Sequence, residues 1–263
     1  MRVCVLGPIE VTDGGRPVRL SGLGQRTVLA ALAAEHGMVV PLTRLFEALW
    51  GGTPPPTART KVQSHVSALR LALGRQVRDG DSPLQTIRPG YVLSADGASV
   101  DATEFADLMT RARQAQDATA TARMLGEALA LWRGPAFAGL DSPVMRAAGR
   151  LLDERRVLAV EEKAAADLSL DRFDLVVAEL PGWVDSYPFR ERLRALLMLA
   201  LHQHGCRADA LRLYRAGEQR MLHELGLQPS QRLRSLYHAI LTDARRSPAG
   251  RMPESGGMLA SRT

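Results

Sequence analysis

Residues 57–73 read TARTKVQSHVSALRLAL. At 100° per residue, Ala58, Val62, Val66, Leu69 and Leu73 fall within about 80° of one another, the apolar stripe of an amphipathic helix. The opposite face carries Thr57, Thr60, Ser64, Ser67 and Leu71, with Lys61 flanking it on one side and Arg59, Gln63 and Arg70 on the other. No acidic residue occurs in the stretch. Either this face meets something negatively charged, or it is a solvated face without acids, and the flanking sequence has to decide.

Immediately upstream, Pro54-Pro55-Pro56 suits a first helical turn and is useless inside one. Two further helical patterns precede it, QRTVLAALAAEHG stopping at Gly37 and LTRLFEALWGG stopping at Gly51-Gly52. Before them, RVCVL, IEVT and PVRL alternate as strands do, about an Asp13-Gly14-Gly15 turn. Downstream, Gly74 to Pro83 reads as loop; LQTI and YVLS, separated by Arg88-Pro89-Gly90, then read as a hairpin. Strands, three helices and a closing hairpin make the order of a winged helix-turn-helix. In that arrangement the third helix enters the major groove, and the hairpin reaches the neighbouring backbone or minor groove. Short hydroxyl side chains then allow close approach to base edges, and the flanking cations meet phosphates.

The charge is distributed accordingly. The net +6 of the 263 residues resolves into +5 over residues 1–95, zero over 96–246 and +1 over the tail. A local basic field attracts phosphate, so a basic module joined to a neutral one fits polyanion binding at one end and protein contact at the other. The length exceeds the about 100 to 200 residues of one domain and predicts two. The first twenty residues hold no signal-peptide pattern and no stretch spans a membrane, so a cytoplasmic protein is expected. Cys4 and Cys206, without a C-x-x-C nearby, are expected to be reduced core thiols.

From Asp101 the pattern is nearly continuous helix, at 101–115, 118–132, 144–171, 173–186, 189–204, 207–224 and 229–245. DRFDLVVAEL at 171–180 and CRADALRLYR at 206–215 both open a helix, and each is followed by a second pattern after a proline, Pro188 and Pro229. The two openings lie about 35 residues apart, and paired helices at such a period suggest a tetratricopeptide-like stack, with an irregular α-bundle as the alternative. The tail at 247–263, rich in Gly, Ser and Pro, is predicted to be disordered.

The residues do not assemble a catalytic constellation, and neither catalysis, a cofactor nor a metal is expected. Gly22-Leu23-Gly24 opens like a dinucleotide fingerprint, but Thr27 follows and no βαβ unit surrounds it. His202 and His204, two apart on a helix, face away from each other and cannot share a metal. Glu161-Glu162 reads as a solvated face. Trp50 and Trp132 read as core.

These stretches resemble the SARP family, the Streptomyces antibiotic regulatory proteins. VLGPIEV, GQRTVLAALAA, LFEALWGGTPPPTART, VSALRLALG and IRPGYVL are similar to its OmpR-like DNA-binding domain. VDATEF, EALALWRGPAFAGL, YPFRERLRALLMLALHQHGCRADALRLYR and ELGLQPSQRLRSLYHAIL are similar to its bacterial transcriptional activation domain. The resemblance implies a mainly α protein with a small β-sheet: a winged helix-turn-helix over 1–95 and an all-α, tetratricopeptide-like domain over 100–245. It implies a small family member that activates an antibiotic or other secondary-metabolite gene cluster. Such a protein binds direct repeats of double-stranded promoter DNA near the −35 region as a head-to-tail homodimer and recruits RNA polymerase holoenzyme with its sigma factor. By position, the third helix supplies Arg59, Lys61, Ser64, Ser67 and Arg70 and the wing supplies Arg88; the helical wheel adds Thr57 and Thr60.

Two departures from the family stand out. Ala68 and Leu71 occupy positions that are often basic, which removes phosphate or base contacts; an exposed Leu71 would meet a thymine methyl or the polymerase instead. Pro181-Gly182 interrupts what relatives carry as one helix and predicts a break or kink. Two other readings compete: a helical adaptor whose winged domain binds protein, and a regulator gated by a small molecule in its α-domain.

Overall fold

The computed structural model describes residues 1–73 and 82–243. Most of the loop expected after the third helix, at 74–81, and the whole tail at 247–263 therefore lie outside the described residues.

The N-terminal sheet starts as the alternation predicts. Strand β1 (Arg2–Cys4) pairs antiparallel with β2 (Glu10–Asp13), in the register Val3↔Val11. The chain then turns through Gly14 and Gly15, at φ 51° and 79°, into β3 (Arg16–Pro17). Positive φ at both central residues makes the tight turn whose twist matches a hairpin, hence two glycines. Helices α1 (Leu23–Ala34), α2 (Leu42–Trp50) and α3 (Ala58–Leu73) follow. Between α1 and α2 lies β4 (Val40–Pro41), which joins the hairpin of β5 (Leu84–Ile87) and β6 (Gly90–Leu93) in the order β4-β6-β5. Strand β7 (Ser99–Val100) completes the first sheet, parallel to β1. At two residues each, β4 and β7 are too short to carry a period-two pattern.

By packing, the chain divides between residues 172 and 173, whereas charge and composition change near residue 95. The first unit therefore takes in α4 (Asp101–Gln114), α5 (Ala118–Ala130) and α6 (Pro143–Ser169). Backbone pairing explains this. Val5 and Leu6 donate to the Asp101 carboxylate, while Arg133 and Phe137 return N–H bonds to the Leu6 and Val5 carbonyls at 2.8 Å each. One apolar cluster combines Val3, Leu29, Leu32, Val66 and Leu69 with Phe137, Leu140 and Met145. A second holds Phe105 against Trp132, edge to face at 5.5 Å between ring centres. Contrary to expectation, Glu161 is buried, whereas Glu162 pairs with Arg113 at 2.9 Å. Cys4 and Cys206 are free thiols, half-buried rather than in the core.

The second unit contains α7 (Phe173–Glu179), α8 (Pro181–Ser186), α9 (Glu191–Gln203), α10 (Arg207–Leu225) and α11 (Gln231–Asp243). The break expected at Pro181 is present: Leu180 still donates to Val176 at 3.0 Å, and Pro181, with no N–H to give, opens α8 instead of continuing α7. Helix α9 packs on both α7 and α10, and α10 packs on α11. Their core is Met198, Ala210, Tyr214, Leu233 and Ile240, with Tyr214 stacked on Tyr237 at 4.2 Å. Gly226, left-handed at φ 68°, caps α10 by donating to Leu222 at 3.0 Å. Among the described residues no helix is long and apolar enough to cross a membrane.

Candidate DNA interface

Helix α3 buries Ala58, Val62, Val66, Leu69 and Leu73, the five residues of the apolar stripe. Its first turn is set by the prolines, with Ala58 N–H donating to the Pro55 carbonyl at 2.8 Å and Lys61 N–H to that of Thr57 at 2.9 Å. Burying the stripe against α1 and α2 turns the other side outward. Thr57, Arg59, Thr60, Lys61, Gln63, Ser64 and Ser67 are all exposed, and Leu71 is 80% exposed. Ala68 is half-buried at the margin. Neither α3 nor the β5–β6 hairpin contains an acidic residue. Arg59 and Lys61 form no ion pair among the described residues.

Arg88 is exposed at the turn of the hairpin, next to Pro89, with Ile87 42% exposed beside it. The turn closes tightly because Gly90 lies against β4: a Cβ there would be 1.9 Å from the Val40 carbonyl oxygen. Arg70 is placed differently from the other cations. Its Nε donates to the Leu84 carbonyl at 2.9 Å and an Nη to the Thr86 hydroxyl at 2.7 Å, so its guanidinium faces the wing. Thr86 and Ile87 went unnoticed in the sequence, because a four-residue strand gives no sign of which of its side chains meets a helix.

The underside of α3 is fitted to α1. His65 lies over Gly24, where a Cβ would come within 2.5 Å of the imidazole Nε2, so this glycine serves close helix packing and not a nucleotide. Burial, and secondarily the Lys61 ammonium, hold the His65 pKa below its ordinary value. The ring is therefore neutral near pH 7 and adds no charge to the face.

Elsewhere among the described residues the chemistry-bearing side chains do not converge. His202 contacts Asp243 at 3.1 Å and His204 contacts Asp174 at 2.8 Å, each ring with its own carboxylate. Among the described residues no cluster of His, Cys, Asp and Glu is arranged to hold a metal. Trp132 is buried under Arg156, Trp50 packs at the edge of the first core, and Trp183 stacks on Tyr187.

Comparison with known proteins gives the arrangement its place. Residues 15–93 match the family model described as "Transcriptional regulatory protein, C terminal", and residues 100–241 match that of the "Bacterial transcriptional activator domain". The chain is 33% identical to the transcriptional regulator RedD of Streptomyces coelicolor, over 92% of this chain and 70% of that one. It is also 33% identical to the regulatory protein DnrI of Streptomyces peucetius, over 92% of each chain. Among solved structures it resembles Mycobacterium tuberculosis EmbR in complex with a low affinity phosphopeptide, with a TM-score of 0.86 and 33% identity; the likeness covers 95% of this chain but 66% of EmbR. With an OmpR-like winged helix followed by a helical bacterial transcriptional activator domain, the chain belongs to the SARP family of transcriptional regulators.

Proposed function

We propose that this protein is a sequence-specific activator that binds double-stranded promoter DNA through α3 and the β5–β6 wing. The observation that carries the reading is the outward face of α3, which has exposed hydroxyls, cations with no ion pair among the described residues, and no acid. A duplex presents base edges on the floor of its major groove and phosphates on both rims. Thr57, Thr60, Ser64 and Ser67 are short enough to let the helix approach the floor, where their hydroxyls donate to or accept from base edges. Arg59 and Lys61, one on each flank, meet the rims. Arg88 extends the contact to the neighbouring backbone or minor groove. No bond is made or broken; binding free energy alone does the work, in the cytoplasm where promoter DNA is found.

On this reading two copies occupy direct repeats near the −35 region as a homodimer, and the helical domain holds RNA polymerase holoenzyme through its sigma factor. Linking the two contacts raises polymerase occupancy by effective concentration, without any new chemistry. Family membership directs the activity to an antibiotic or other secondary-metabolite gene cluster. The test is footprinting on promoters next to the protein's own gene, followed by transcription from the protected promoter with purified holoenzyme. Protected repeats and added transcript support the reading; a promoter bound without added transcript removes the activator role.

A further inference from the structure

We infer that Arg70 is a positioning residue: it holds the wing in register with the reading helix and does not itself contact DNA. The inference rests on the proposed DNA-binding role of α3 and the wing. Among the described residues, strand β5 is the edge of its sheet and is paired to β6 alone, over four registers from Leu84↔Leu93 to Ile87↔Gly90. A four-residue strand at an open sheet edge, held on one side alone, is easily displaced, yet the wing must bring Arg88 to a phosphate at a fixed distance from α3.

Arg70 supplies that constraint. It projects from the C-terminal half of α3, and two of its nitrogens grip β5 at alternate residues: Nε at the Leu84 carbonyl, 2.9 Å, and Nη2 at the Thr86 hydroxyl, 2.7 Å. A planar guanidinium fixing two points on one strand sets both the position and the direction of that strand, which a single ammonium does not. Leu84 and Thr86 lie two residues apart on β5, and Arg88 follows two residues later at the turn. Both acceptors are neutral. A carboxylate partner would bind Arg70 more strongly but would cancel a positive charge beside the reading face. This choice of acceptors gives a fixed wing and leaves the face basic.

The salt dependence of DNA binding separates positioning from contact, since each phosphate neutralised contributes about 0.9 to the slope of log K against log salt. Titrations use the footprinted promoter fragment and a mixed-sequence duplex of the same length. Thr86→Val changes no charge, but it should lower the slope by about one and bring the affinity to that of Arg88→Ala; combining the two should cost nothing further. Arg70→Lys keeps the charge and loses the two-point grip, so it should lower the slope equally. Thr86→Ser, which keeps the hydroxyl, should retain the wild-type slope and controls for folding. A wild-type slope for both Thr86→Val and Arg70→Lys overturns the inference and makes Arg70 a direct phosphate contact. Wild-type protein that binds neither duplex instead overturns the DNA reading on which the inference stands.

Discussion

The backbone N–H of Val5 donates to the buried carboxylate of Asp101 at 2.7 Å. The other carboxylate oxygen accepts from Leu6 at 3.1 Å and lies 3.6 Å from Arg133. A side chain at the start of the first activator-domain helix thereby pairs two backbone donors that directly follow strand β1 of the winged half, so the two halves of the first unit share hydrogen bonds as well as a core. Burial raises the Asp101 pKa above the ordinary carboxylate value, against the opposing pull of the two amides and Arg133. A group whose pKa is raised on folding stabilises the folded state fully below its unfolded pKa and loses that contribution as pH rises through its folded pKa. The difference in unfolding free energy between wild type and Asp101→Asn should therefore grow in favour of wild type as pH falls from neutral through the raised pKa. Near pH 7 Asp101→Asn should still be destabilised, by about 1–3 kcal/mol, because its amide turns a donor toward one of the two N–H groups. Urea unfolding of both proteins across that pH range is the check.

Gly90→Ala should dislodge the wing from β4. The added methyl would sit 1.9 Å from the Val40 carbonyl, a backbone atom that cannot move aside as a flexible side chain does. A loss of about 1–3 kcal/mol is expected, with hydrogen exchange faster at the β6 amides than at those of β1. Uniform loss of protection would mean that the hairpin and the core unfold together.

Arg194 is 4% exposed, and its Nε and Nη1 atoms have no hydrogen-bond partner among the described residues. Gly217 makes room for it: a Cβ there would be 2.3 Å from the guanidinium carbon. Replacing a buried charge that is poorly compensated by an apolar chain of similar length is often neutral or stabilising. Arg194→Met should leave the melting temperature unchanged or raise it, while Gly217→Ala lowers it, and the double variant should recover most of the loss. Strict additivity in thermal melts would show that the two positions do not meet.

Ser64→Ala and Lys61→Ala should differ in kind. Loss of the hydroxyl should alter the preferred sequence and leave the salt slope unchanged; loss of the ammonium should weaken all sequences alike and lower the slope by about one. Selection of bound sequences from a random pool, together with salt titration, distinguishes the two.

The legibility of these features follows the range of the interactions behind them. The α3 stripe was readable because helical periodicity over sixteen residues is a local signal, and all five stripe positions are buried. The break at Pro181 was readable for the same reason, since a missing N–H is a property of one residue. Asp101 gave no such sign: it resembles any acid in a helix's first turn, and its partners lie 95 and 96 positions away. Arg70 was placed on the right helix, yet its acceptors, 14 and 16 residues on, belong to a strand whose approach only the fold determines. The burial of Glu161 and the packing of α4–α6 with the winged half were likewise invisible to a reading based on charge and composition.

The claim that the acid-free face of α3 lies against a duplex is tested most directly by Arg59→Ala/Lys61→Ala. The variant and the wild type should be titrated against the footprinted fragment at several salt concentrations, with melting temperatures measured in parallel. Both cations are exposed and on opposite flanks of the face, so melting should be unchanged while the salt slope falls by about two. A folded double variant that keeps the wild-type slope and affinity would contradict the account.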